Sequence, residues 1–436
     1  MAALRRQLGL FQTTMYGVGL ILGAGIYALI GDAAGTAGNS LWLSFVLAAV
    51  ASVFTGLSYA ELSSMYPKAA AEYSFVKNAF KNNFIAFIVG WLTLFVTIIS
   101  AATIALGFGG YFGDLFGIPI LISAVLVIIG LSFVNFAGIR ESSSMNMIFT
   151  VIEAAGLTLV IWIGFALFGN VEINYFDAPH GLSGVFSAFT LVFFAYIGFE
   201  NIANIAEEIR NPKKVLPKAI ILSISITAIV YILVSVSAIR VLSWQELDSS
   251  IAPLADVVKR ALGPQAQIVL SFIALFATTN TVLIMLVSGS RILYGISKDK
   301  ALPAIFGRVH KQTRTPWLAV SIIGFLSIVF VFAGDIRTIA NISVFTIIMV
   351  FILVNLSLIW LRYKEPNYER PFRSPLNVKK FPVLAALGIV TPVLGIIQLS
   401  PYVIFMGIGV VASGTVFYFL YSHSSKKPKD NSNQAF

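Results

Sequence analysis

Apolar runs long enough to cross a lipid bilayer recur from one end of this 436-residue chain to the other. A helical span needs about 20 such residues to cover about 30 Å of hydrocarbon. Twelve can be drawn, roughly 12–36, 40–65, 83–110, 118–138, 145–169, 184–206, 217–241, 263–290, 316–334, 338–361, 380–399 and 401–421. The chain is 58% hydrophobic and 11% charged with a mean hydropathy of +0.89, too few polar residues to clothe a water-soluble surface. The expectation is an all-α membrane protein with twelve transmembrane helices. The N-terminal MAALRRQLGLFQ does not read as a secretory leader, because the apolar run behind it is long and lacks a small-residue cleavage site.

A formal net charge of +10 would suit a nucleic-acid partner if it were spread as a patch. It is not. When the twelve-span loops alternate between two sides, only Arg240, Lys259, Arg260 and Arg337 fall on the second side, and the other 25 of the 29 basic residues fall on the first. Basic loops stay in the cytoplasm, so this asymmetry predicts both termini cytoplasmic in a cell membrane, with no nucleic-acid partner.

Glycine interrupts the first span, GLILGAGIYALIG at 19–31. The sixth, GVFSAFTLVFFAYIGFENIANIAEEIRNP at 184–212, sets Gly198 beside Glu200 and Asn201. Gly9-Leu10-Phe11 and Gly184-Val185-Phe186 lie 175 residues apart, as do Gly23 and Gly198. That offset places two helix breaks at matching positions of two five-span units: a first inverted repeat over 1–175 and a second over 176–365. Two further spans follow over 366–423, with a polar tail over 424–436. Unwound backbone survives inside a membrane only where it lines a cavity or meets a ligand. Facing half-helix ends offer N–H groups to a carboxylate and carbonyls to an ammonium, which suits an amino acid. The competing reading is that Gly19 and Gly23 only let neighbouring helices pack closely.

With these segments in view, the chain resembles the amino acid–polyamine–organocation (APC) superfamily over spans one to ten. The likeness rests on GAGI in span one, SYAELSSMYPKAAAEYSFVKNAF after span two, FFAYIGFENIANIAEEIRNPKKVLPKAI through span six, and SRILYGISKDKALP followed by TRTPWLA after span eight. The resemblance implies a LeuT-like 5+5 inverted repeat plus two C-terminal helices. It also implies secondary active transport by alternating access. Carried over by position, Gly23, Ala24 and Gly25 would hold a substrate carboxylate through main-chain amides, and Ile21 would offer a carbonyl to the amino group. Phe194 would be an aromatic gate, with Ala195, Tyr196 and Gly198 facing substrate and Phe193 beside them. The superfamily's paired glycines after span two read Ala70-Ala71 here, which predicts a loop of different shape.

An ionisable group at membrane depth costs at least about 2.5 kcal/mol and is read by default as functional. Glu153 stands eight residues into span five, about 12 Å deep at 1.5 Å per residue. Proton-coupled members of the superfamily commonly carry a lysine there. A glutamate cannot imitate that cation, but it can exchange a proton or ligate a cation, so Glu153 is the candidate coupling residue. A glutamate merely hydrogen-bonded across helices is the alternative. Glu200 is a candidate gate or substrate contact, against the plainer role of satisfying amides freed at the break. Thr278 and Thr281, with Thr279 and Asn280 between them, could complete a cation or substrate site or bond back to their own helix. Glu207 and Glu208 face the Arg5 and Arg6 end of the chain, either as a gate of ion pairs or as solvated charge. Asn211-Pro212 and Leu216-Pro217 each read as a helix stop and restart.

An enzyme is not expected. There is no cysteine, His180, His310 and His423 lie outside the spans, and neither HExxH nor a phosphate-binding GxGxxG occurs. No cofactor or metal is implied. A channel would need a repeated filter sequence or charge ring, which is absent, and a sensor would need a signalling domain. The aromatic surroundings of Phe193, Phe194 and Tyr196 favour neutral amino acids moved with H+. Exchange or import of cationic amino acids or polyamines is the alternative, and the oligomeric state is not readable.

Overall fold

A computed structural model describes residues 8–68, 70–137, 143–299, 301–311, 313 and 315–424. The order is α1 (Leu10–Leu22), α2 (Ala24–Ala37), α3 (Leu41–Met65), α4 (Ala71–Phe80), α5 (Asn83–Phe116), α6 (Ile120–Ala137), α7 (Ser143–Trp162) and α8 (Gly181–Phe193). Then come α9 (Asn201–Asn204), α10 (Pro212–Val241), α11 (Trp244–Ser249), α12 (Pro253–Leu262), α13 (Pro264–Lys298), α14 (Trp317–Val331), α15 (Ile336–Lys364), α16 (Val383–Ile396) and α17 (Pro401–Ser424). The only strands among the described residues are the pair β1 (Asn377–Val378) and β2 (Phe381–Pro382), antiparallel with Val378 opposite Phe381.

Nine stretches among the described residues are long and apolar enough to cross a membrane, one of them, Gly25–Met65, running two expected spans together. Leu10–Leu22, Trp317–Val331 and Val383–Ile396 are apolar but shorter. The helices start and stop where side chains or glycine serve the backbone groups that a helix end leaves open. Asn82 accepts from the N–H of Phe84 at 2.9 Å to open α5. Gly117, at φ +70, closes it, and Asp335 accepts from the N–H of Thr338 at 2.7 Å to open α15. Asn211 in left-handed conformation precedes Pro212 at the start of α10, as expected, but Pro217 does not restart a helix: it lies inside α10. One hydrogen bond is lost there, and the freed carbonyl is that of Lys213, on an exposed turn.

The two ends of the bundle differ. At the near end, which carries Leu8, the main chain pairs directly: Leu8 N–H donates to the Glu208 carbonyl at 3.1 Å, and Arg210 N–H donates to that of Leu8 at 2.9 Å. Arg5 and Arg6 lie outside the described residues, so a gate pairing them with Glu207 and Glu208 cannot be placed. Also at the near end, Glu61 of α3 is fully buried and holds Arg362 of α15 through two bonds of 2.6 and 2.5 Å. Glu61 further accepts from the Ser374 N–H at 2.8 Å, and Arg370 Nε stands 3.2 Å from it. At the far end Arg337 reaches Asp32 at 3.1 Å and Asp248 at 3.5 Å.

Candidate functional site

Both breaks are present and they face each other. α1 and α2 part at Gly23 (φ −44, ψ −154). α8 gives way after Phe193 to a 3-10 turn, Phe194–Tyr196, then to extended Ile197. Gly198 follows at φ +138, a conformation open to glycine without strain. Peptide groups on either side therefore lack helical partners. The approach is at backbone distance: a Cβ on Gly25 would stand 2.6 Å from the Cα of Ala195.

A residue that the sequence reading passed over joins them. The hydroxyl of Tyr231, buried in α10, donates to the carbonyl of Ile21 and also lies 3.1 Å from that of Ala195. One proton is thus shared by an acceptor from each broken helix. Its signal was a tyrosine at the middle of an apolar span, because a phenol at that depth needs a partner.

Between the breaks lies a cavity walled by Ile21, Gly25, Phe194 and Ala195 together with Thr281, Ser100 and Met285. Its free volume of about 10 Å³ has room for a single water. Its walls carry hydroxyls but no charged side chain. Of the expected contacts, Ala24 opens α2 with its main chain. Phe193 and Tyr196 stand behind the cavity. The Phe193 ring meets that of Phe351 at 6.2 Å, and the Tyr196 hydroxyl donates to the Phe45 carbonyl at 3.1 Å. A second hollow of about 460 Å³, lined by Ala28, Gly107, Tyr111, Asp32 and Asp335, lies towards the far end. It begins one helical turn beyond Gly25 on α2 and Ile104 on α5.

Glu200 spends both oxygens inside its own break, accepting from Gly198 N–H at 2.8 Å and from Asn201 Nδ2 at 3.2 Å. Glu153 is fully buried on α7. Its Oε1 is 3.4 Å from Asn280 Nδ2, its Oε2 has no hydrogen-bond partner, and Tyr27 donates to its main-chain carbonyl at 2.9 Å. Thr278 and Thr281 both bond back along α13, to Ala274 at 2.8 Å and Ala277 at 2.9 Å, though Thr281 also lines the cavity. No group of three or more acidic or histidine side chains able to hold a metal occurs among the described residues.

The Amino acid permease family matches residues 8–424. A branched-chain amino acid permease of Bacillus subtilis is 30% identical over 98% of this chain and 95% of its own length. A methylthioribose transporter of the same organism is 28% identical over 96% of this chain and 94% of its own. Cationic amino acid transporter 4 of Mus musculus is 30% identical over 84% of this chain and 61% of its own.

Proposed function

This chain belongs to the amino acid permease family, and from that premise we propose that it imports neutral, aliphatic amino acids together with H+ by alternating access. Amino acid transport, rather than an enzymatic reaction, is the activity of such a protein. The observation that carries the substrate class is the cavity between the breaks. Open main-chain groups meet there, its side-chain walls are apolar or hydroxylic, and no charge stands among them to pair with a basic side chain. The carboxylate is received by the first N–H groups of α2, and the ammonium by the Ile21 and Ala195 carbonyls once Tyr231 yields them. Cargo exceeds the present free volume, so binding must widen the site. The likeness to a branched-chain permease supports this class.

We read the architecture as twelve crossings in a LeuT-like five-plus-five arrangement, with repeats over 1–175 and 176–365 and an added pair over 366–423. The matching breaks support it. The basic asymmetry assigns the near end and both termini to the cytoplasm, so the larger hollow faces outward and the Leu8–Glu208 bridge is an inner closure. Glu153 is the coupling residue in this reading. A fully buried carboxyl with one oxygen unserved is poised to hold a proton or a cation. Uptake of leucine into proteoliposomes under an imposed pH gradient tests it. Glu153→Gln is expected to abolish stimulation by the gradient while leaving counterflow intact; undiminished stimulation excludes Glu153.

A further inference from the structure

A further buried carboxylate, used by nothing so far, sits under the inner end of span six. Glu72 begins α4, outside the spans, and is only 2% exposed. One oxygen accepts from the Tyr59 hydroxyl of α3 and the other from Asn204 Nδ2 of α9, each at 3.3 Å. Asn204 in turn accepts from the Ala71 N–H at 2.7 Å. The cover is apolar: the Tyr59 ring meets Phe75, Phe199 and Phe351 edge-on at 5.6 to 5.9 Å. Glu72 is therefore walled in by the element that must move for the inner side to open.

We propose that Glu72 is a proton-release site of the transport cycle, protonated while the inner ends of spans one and six are closed and yielding its proton to cytoplasmic water when Asn204 is drawn away. The O–H bond of the carboxyl breaks, its electron pair stays on the carboxylate, and hydronium leaves on the inner side. This rests on the alternating-access reading above but not on the identity of the cargo or on Glu153.

The surroundings set the sign. Burial pushes Glu72 up to about 7, against the lowering effect of its hydrogen bonds to Asn204 and Tyr59. Glu200, across Tyr59, is the other carboxylate nearby. Of the helices packed on α4, α5 carries a single charge, Asp114 at its far end. α15 brings Arg362, bound to Glu61, with Tyr363 and Lys364, both exposed. On α4 itself Lys77 pairs with Tyr73 at 3.1 Å. No described cation thus reaches Glu72 to hold it ionised. Since the closed state binds the proton more tightly than a hydrated carboxyl does, acid favours closure and rising cytoplasmic pH favours opening. A midpoint falling from about 7 to the ordinary 4.5 changes the open-to-closed ratio about ten-fold between pH 6 and pH 8.

The chain contains no cysteine, so spin labels can be placed at will. Cysteines at the exposed positions Asn83 and Arg210 report the inner gap in the full chain in nanodiscs, read by double electron–electron resonance without amino acid. The expected result is a long-distance population whose odds rise about ten-fold from pH 6 to pH 8, and no such rise in Glu72→Gln, which keeps the shape and one of the two acceptor oxygens but cannot titrate. A rise that survives in Glu72→Gln, or that vanishes only in Glu200→Gln, overturns the proposal. Should Glu72→Gln not fold, Asn204→Ala decides: losing a bond to the carboxylate must move the midpoint upward, and an unmoved midpoint is equally fatal. One unchanging distance at every pH would overturn both the proposal and alternating access itself, whereas opening that ignores pH counts against Glu72 alone.

Discussion

Tyr231 shows how one hydroxyl can decide what a break in a helix is available to do. Its proton is held by two carbonyls from different segments, so both are satisfied in this structure, and under the proposed function cargo must offer a donor in its place. Phenylalanine at this position would leave Ile21 and Ala195 underserved in a buried site, at a cost of about 1–3 kcal/mol. Tyr231→Phe is expected to lower the melting temperature of the ligand-free protein and to enlarge the upward shift produced by bound amino acid, both measurable by intrinsic-fluorescence unfolding. Equal melting and an equal shift in the two proteins would show that the bridge is incidental. The glycines of the breaks were legible because their chemistry is local. The tether was not, since its three residues lie 210 and 36 positions apart and nothing in their neighbourhoods in sequence announces the meeting.

At the scale of elements, the turn into α4 is informative. Paired glycines are replaced there by Ala70-Ala71, yet Ala70 takes the left-handed conformation, φ +51 and ψ +57, that glycine enters freely. The side chain carries a penalty of about 1–2 kcal/mol there, partly offset because alanine restricts the unfolded chain. Ala70→Gly should therefore stabilise the protein by a net of about 0.5 kcal/mol, read as a small rise in melting temperature. A fall would mean that the Ala70 methyl contributes packing that outweighs the strain. The limits of helices were read well where caps and prolines coincide, as at Asn211-Pro212. They failed at Pro217, because a proline near a helix start forfeits only one bond and neighbouring turns carry the helix past it.

The whole molecule is held at its near end, the one that carries Leu8, by contacts between segments remote in sequence. Glu61 neutralises Arg362 and faces Arg370 in a region from which water is largely excluded, tying α3 to the end of α15 and to the chain beyond it. Glu61→Gln would leave two guanidinium groups there without their counter-charge, and breaking a buried pair in this way costs about 3–5 kcal/mol. A marked loss of monodisperse protein in size-exclusion chromatography, and a lower melting temperature, are the expected results; native-like melting would mean that the site is wet. The sequence reading put Arg362 and Arg370 on the same side by charge counting but did not bring Glu61 to them, because charge counting carries no distances. The main-chain bridge at Leu8 has a different character. It is made wholly of peptide N–H and carbonyl groups, so residue types at 8, 208 and 210 can drift over evolutionary time without loosening it. An alanine scan would pass straight over it. Only proline at 8 or 210, or truncation of the chain, can cut it.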